Sequence, residues 1–202
     1  MTISAPTTLV IASGNAGKVR EFAHLLADLG LGLEIRPQPA GLEVEETGST
    51  FAENARLKAT AVALATGCWA LADDSGLAVD ALGGAPGVHS ARYAASDSER
   101  IARLLRELAA ATAPERSACF TAALAVADPS GAIVLEVEGH CPGLILEAPR
   151  GSGGFGYDPV FLVTELGLSF AEMDKATKGR IGHRGRAFGL LEPGLRQLLG
   201  AG

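Results

Sequence analysis

The sequence predicts an α/β protein, a two-lobed subunit in which a central mixed sheet is flanked by helices and a cleft separates the lobes. Three observations carry this. The chain opens on a strand, a glycine loop and a helix; a capped, alanine-rich helix then leads into an apolar run that ends at two aspartates; and the second half shows hairpin spacing, which demands antiparallel pairing. With 202 residues, 48% of them hydrophobic and 20% charged, the chain suits one domain over 1–202, since domains run to ~100–200 residues.

Thr8 to Ala12 is a short apolar run ending in the turn Ser13-Gly14-Asn15-Ala16-Gly17-Lys18. Val19, Phe22, Leu25, Leu26 and Leu29 then recur at helical spacing, and Gly30 closes the helix. Thr50-Phe51-Ala52-Glu53 is a capping box, in which a hydroxyl and a carboxylate satisfy free backbone N–H groups. The helix it starts runs to Gly67 and places Asn54 and Lys58, four apart, on one face. Trp69 to Ala72 reads as a buried strand, and Asp73-Asp74-Ser75-Gly76 as the turn leaving it. Ser96-Asp97-Ser98-Glu99 caps a third helix with Ile101, Leu104, Leu105 and Leu108 on its apolar face. Ser117–Ala127 and Ala132–Glu138 form a hairpin around Asp128-Pro129-Ser130-Gly131. Short strands follow at Leu144–Leu146 and Val160–Val163. A last helix spans roughly Gly185 to Leu199, with an interruption expected at Pro193.

Several function classes fall away at once. A formal net charge of -6 without a basic stripe argues against a nucleic-acid partner, whose phosphates need clustered Lys and Arg. No apolar stretch approaches the ~20 residues that span a bilayer, so no membrane partner is expected. The opening Met1-Thr2-Ile3-Ser4-Ala5-Pro6 lacks the basic start and apolar run of a signal peptide. The three cysteines are widely spaced, with no Cys-x-x-Cys, and fit a reducing, cytoplasmic location.

The remaining motifs suit phosphate chemistry. Glycine-turn N–H groups at a helix N-terminus favour anions; Lys18 can reach a phosphate and Asn15 can hydrogen-bond one. Charge at the end of an apolar strand is costly unless it serves a purpose. A hard cation such as Mg²⁺, held by one or two carboxylates and the substrate's phosphates, would neutralise Asp74, with Glu46 as a second carboxylate. In Gly154-Phe155-Gly156-Tyr157-Asp158-Pro159, glycine admits a close ligand, Phe155 can stack on a planar ring and Asp158 can accept from ring N–H groups. Lys178, His183 and Arg184 form a basic cluster that can meet phosphate or a carbonyl.

Ser13-Gly14-Asn15-x-x-Lys18, Thr50-Phe51-x-Glu53-Asn54-Ala55, Ala72-Asp73-Asp74-Ser75-Gly76-Leu77, Gly84-Ala85-Pro86-Gly87-Val88, Gly154-Phe155-Gly156-Tyr157-Asp158-Pro159 and His183-Arg184-Gly185, in that order, resemble the inosine triphosphate pyrophosphatase family. The resemblance covers Leu9 to about Leu199. It implies a homodimer with the active site in the interlobe cleft, and Mg²⁺-dependent hydrolysis of non-canonical purine nucleoside triphosphates (ITP, dITP, XTP) to the monophosphate and pyrophosphate. Carried over by position, Ser13, Gly14, Asn15, Ala16, Gly17 and Lys18 hold the triphosphate, joined by Lys58. Glu46 and Asp74 bind the metal, and Asp74 also orients or deprotonates the attacking water. Ser75 contacts substrate, while Phe155, Gly156, Tyr157, Asp158, Lys178, His183 and Arg184 enclose the base. Gly182, where the family often has serine, and Gly179, where it commonly has a polar residue, depart from the pattern. Two other readings stand beside this one: a nucleotide pyrophosphatase of different base specificity, and a nucleotide-binding module without catalysis.

Overall fold

The computed structural model describes residues 7–111 and 115–200; the opening segment 1–6, considered above for a signal sequence, lies outside the described residues. Strands β1 (Thr8–Ala12), β2 (Glu34–Pro37), β3 (Trp69–Val79), β4 (Ser117–Ala127), β5 (Ile133–Ile145), β6 (Phe161–Val163) and β7 (Leu168–Ser169) form one sheet in the order β2-β1-β3-β4-β5-β6-β7. The sheet is mixed. β1 runs parallel to both β2 and β3, with Ala12 opposite Ala72, whereas β6 is antiparallel to β5 and to β7. Helices α1 (Ala16–Ala27), α2 (Phe51–Thr66), α3 (Asp97–Ala110), α4 (Lys175–Ile181) and α5 (His183–Leu199) flank it.

Within the described residues the chain divides into two compact units, the first made of 7–74, 123–138 and 187–200, the second of the remainder. Each has its own core. In the first, α2 presents Ala55, Ala59, Val62 and Ala63 to Ala70, Ala72, Ala123, Ala125 and Ala127 of the sheet, all fully buried. Small side chains on both faces let helix backbone and strand approach closely, which brings the short polar side chains at the start of α2 within reach of β3. In the second unit the core is larger-grained: Leu77, Val79, Leu104, Phe120, Ile145, Phe161 and Phe170 pack together, and Phe120 meets Phe161 edge-on at 4.7 Å.

The capping boxes form as the sequence predicts. Thr50 Oγ1 accepts from Glu53 N and Ser96 Oγ from Glu99 N, with each glutamate reaching back to the cap. Four expectations need correction. Asp73-Asp74-Ser75-Gly76 is not a turn; β3 continues through it to Val79, because both aspartates find cationic partners without leaving the ladder. The strands expected at Ala132–Glu138 and Leu144–Leu146 are largely one long strand, β5. α5 begins at His183 rather than Gly185 and is continuous through Pro193. Strand β2 and helix α4 were not foreseen; β2 lies at the sheet edge and is half exposed, so it lacks the apolar alternation that marks a strand.

Burial pushes the Tyr93 phenol up to about 12, helped by its hydrogen bond to Glu107, and burial likewise raises Tyr157, whose hydroxyl donates to Ser90 O at 2.9 Å. These are the chain's two tyrosines. Because both pKa values are raised in the folded state, the stability they lend is complete below the ordinary value of 10 and is lost as pH climbs through about 12 for Tyr93 and higher still for Tyr157. Folded protein titrated in the ultraviolet should show almost no phenolate at pH 10, whereas protein in urea has both tyrosines about half ionised there; early phenolate absorbance in the folded state would contradict the burial of these rings.

Candidate functional site

The alternation of β3 decides the first unit's polar cluster. Successive strand residues point to opposite faces, so Asp73 and Asp74 do not face one common cation. Asp74 shares the side of Ala70 and Ala72, where α2 packs. Lys58, one turn beyond Asn54, crosses to it: Lys58 Nζ lies 2.7 Å from Asp74 Oδ1, 2.9 Å from Glu46 Oε1 and 2.9 Å from the Asp73 carbonyl. Asn54 Nδ2 donates to Asp74 Oδ2 at 3.3 Å. On the other face Asp73 pairs with Lys18 at 2.8 Å. Two adjacent carboxylates are thus neutralised from two sides, one by a lysine of α1 and one by a lysine of α2.

Burial pushes the Asp74 carboxyl up, and this outweighs the lowering by Lys58 and Lys18. Burial opposes the charge on Lys58 as well, but Asp74 and Glu46 together carry its pKa above the ordinary ammonium value. Attraction across the pair alone would lower the carboxyl. The Lys58 ammonium has two carboxylates and a carbonyl around it. Asp74 is the softer partner, protonated more readily than a surface aspartate.

In the glycine turn some of the N–H groups are already engaged by side chains. Asn15 is the N-cap of α1, and its Oδ1 accepts from Gly17 N at 2.8 Å and Lys18 N at 3.2 Å; Ser13 Oγ accepts from Asn15 N at 3.1 Å. The first turn of α1 carries no acidic residue. A cavity of about 460 Å³ lies beside it, lined by Ser13, Gly14 and Ala16 and by residues 37–41.

In the second unit, Asp158 organises the glycine-rich turn. Its Oδ2 accepts from Phe155 N at 2.8 Å and pairs with Lys178 Nζ at 2.5 Å. Gly154 has φ +75, and a Cβ there would stand 1.9 Å from that oxygen, so only glycine permits the contact. Asp97, at the start of α3, accepts from Gly156 N at 2.7 Å, and Tyr157 is tied to Ser90. Above the Phe155 ring lie the Lys178 ammonium at 4.9 Å and the Arg184 guanidinium at 5.4 Å. Arg184 Nη2 also donates to Ser75 Oγ at 2.7 Å, and His183 stacks on Phe120 at 4.7 Å with 12° between the planes.

The residues singled out from sequence therefore gather in two groups, each described within its own unit: Glu46, Lys58, Asp74, Lys18 and the glycine turn in the first, Ser75, Phe155, Gly156, Tyr157, Asp158, Lys178, His183 and Arg184 in the second. Sequence reasoning passed over Asp97, Ser90 and Phe120, which support the second group. Asn54 was placed on the correct helix face without a role; its signal was its spacing from Lys58. Among the described residues no three His, Cys, Asp or Glu side chains converge as a metal-binding set. Two carboxylate oxygens, of Glu46 and Asp74, do converge on one cationic group. That hard-oxygen pair suits a divalent cation completed by phosphate and water.

Replacing Lys58 by methionine leaves the buried Asp74 and the half-buried Glu46 without their shared counter-charge. Urea unfolding near neutral pH should show a loss of about 3 kcal/mol, shrinking towards pH ~4 as the carboxylates take up protons. An undiminished loss at acid pH would mean that packing, not charge, is what Lys58 contributes.

A model of the Ham1 family matches residues 9–193. A protein of Parasynechococcus marenigrum (strain WH8102) named dITP/XTP pyrophosphatase is 63% identical over 194 residues, covering 96% of this chain and 97% of the relative. One of the same name from Synechococcus sp. (strain CC9311) is 63% identical over 191 residues, covering 95% and 91%. The solved structure of a HAM1 protein from Coxiella burnetii is 43% identical, with a TM-score of 0.87 over 95% of this chain and 99% of that one.

Proposed function

The chain belongs to the Ham1 family, and from that we infer that it is a nucleoside triphosphate pyrophosphatase, hydrolysing ITP, dITP and XTP to the nucleoside monophosphate and pyrophosphate. The observation that carries the reading at the level of chemistry is the convergence of Glu46 and Asp74 on one cation, next to an α-helix whose N-terminus bears Lys18.

Glu46 and Asp74 would hold Mg²⁺. When bound, such a cation lowers the pKa of a coordinated water and neutralises charge on the leaving pyrophosphate. Asp74 would orient the attacking water and accept its proton as general base. Lys58 exchanges its carboxylate partners for phosphate oxygens, Lys18 reaches a phosphate while it stays paired with Asp73, and Ser13 to Gly17 line the triphosphate. The base lies on Phe155. Arg184, with His183 beside it, donates to the 6-oxo group, while Ser75, Gly156, Tyr157, Asp158 and Lys178 complete its surround. A 6-amino purine would set donor against donor and leave these buried groups unpaired, a mismatch that can discriminate by ~10⁴ or more. The two units act together as one catalytic domain, in a cytoplasmic homodimer that clears such nucleotides from the pool.

The deciding experiment is hydrolysis of ITP, XTP, GTP and ATP with Mg²⁺, resolving pyrophosphate from orthophosphate. ITP and XTP should be preferred, with pyrophosphate as product. Asp74→Asn should lower kcat by roughly a hundredfold or more while the protein stays folded. Orthophosphate as the product, or equal use of ATP, would overturn the reading; full activity in Asp74→Asn would remove Asp74 from the mechanism.

A further inference from the structure

Asn54 is fully buried, yet it is not the cap of its helix, because Thr50 fills that place. A buried amide needs partners at both ends. At one end Oδ1 accepts from Gly48 N at 2.8 Å; at the other Nδ2 donates to Asp74 Oδ2 at 3.3 Å. A backbone N–H can only donate and an ionised carboxylate can only accept, so the amide has one workable orientation.

Gly48 lies two residues beyond Glu46 and is built against the same amide. A Cβ at Gly48 would stand 2.7 Å from Asn54 Oδ1 and 2.6 Å from Glu53 Cβ. The following residues are tied down too, since Ser49 N and Oγ donate to Glu53 Oε2 at 2.6 and 2.9 Å. The segment carrying Glu46 is therefore fastened to the first turn of α2 through the side chain that also grips Asp74. The two Asp74 oxygens are divided: Oδ2 goes to Asn54, which leaves Oδ1 facing the cationic group that Glu46 shares.

We propose that Asn54 is a positioning residue that sets Glu46 and Asp74 relative to one another, and thereby the affinity of the pair for a divalent cation. The inference rests on the metal reading given above. Groups that orient metal ligands in this way typically alter metal affinity by about 10–100-fold when removed.

Mn²⁺ serves as the probe, titrated by electron paramagnetic resonance against the full chain without nucleotide, with folding checked by circular dichroism. Asn54→Leu removes both hydrogen bonds at similar volume. Gly48→Ala keeps the amide but displaces it, and carries the test if the leucine variant does not fold. Thr50→Ala is the control: it removes the α2 cap without touching the amide or either carboxylate. The expected result is Mn²⁺ affinity about tenfold weaker in Asn54→Leu and Gly48→Ala, with Thr50→Ala binding as the unmodified chain does. Folded Asn54→Leu or Gly48→Ala binding Mn²⁺ within about twofold of the unmodified chain would overturn the inference. So would an equal loss in Thr50→Ala, since that would mark general loosening of the helix. If the unmodified chain binds no Mn²⁺, the metal reading falls and takes the inference with it; if it binds and the variants match it, the metal reading stands and Asn54's role does not.

Discussion

Two ionised carboxylates next to one another on a buried strand are the constraint around which the first unit is arranged. Isolated, each would cost several kcal/mol to bury. The pleat of β3 turns them to opposite faces, so one cation cannot serve both. A helix on each face answers this, α1 supplying Lys18 to Asp73 and α2 supplying Lys58 to Asp74. The strand–loop–helix unit at the start of the chain and the capped helix after it are thus parts of one electrostatic solution. That solution is also why β3 can run through Asp73 and Asp74 instead of stopping before them.

The alanine seam between α2 and the sheet is the packing counterpart. Lys58 has a long reach, but Asn54 is short, and its contact with Asp74 requires the helix start to lie close to the strand. Ala55, Ala59 and Ala63 facing Ala70 and Ala72 provide that proximity without a large side chain in the way. Bulk in this seam, such as leucine at position 59, would force the helix outward and separate Asn54 and Lys58 from their partners together. A hydrophobic interface of the smallest residues therefore sets distances in a polar site one turn away.

What was legible in the sequence was local. Thr50 with Glu53 and Ser96 with Glu99 mark helix starts within four residues, and the Asp128–Gly131 turn marks its hairpin just as compactly. The end of β3 was misplaced because two charges look like the exit from a core, and the lysine that neutralises Asp74 and the amide that donates to it lie 16 and 20 residues away in sequence. β2 was missed because its four residues draw their place from parallel pairing with β1, not from their own pattern. α4 does carry a signal, Asp174 capping Thr177, but with only seven residues and a glycine inside it that signal is weak. In the two polar groups, residue types marked side chains that the fold brings together; which atom holds which was decided by tertiary packing, as with Asp158, whose carboxylate is engaged by Phe155 and Lys178.

The charges of the first cluster also bear on how an acidic protein could accept a triphosphate. Two lysines, Lys18 and Lys58, face three carboxylates, Glu46, Asp73 and Asp74, leaving one net negative charge in a largely buried group. On its own that balance repels an anion, and neither lysine can leave its carboxylate without exposing an uncompensated charge. A divalent cation on Glu46 and Asp74, as proposed, would reverse the sign of the cluster and replace Lys58 as their counter-charge. The ammonium could then turn to a phosphate at little cost, because each carboxylate would keep a cation. On this account, attraction for the triphosphate does not pre-exist in the fold. It would arrive with the proposed cation, and metal and nucleotide binding would then be coupled through Lys58, each strengthening the other by the same factor.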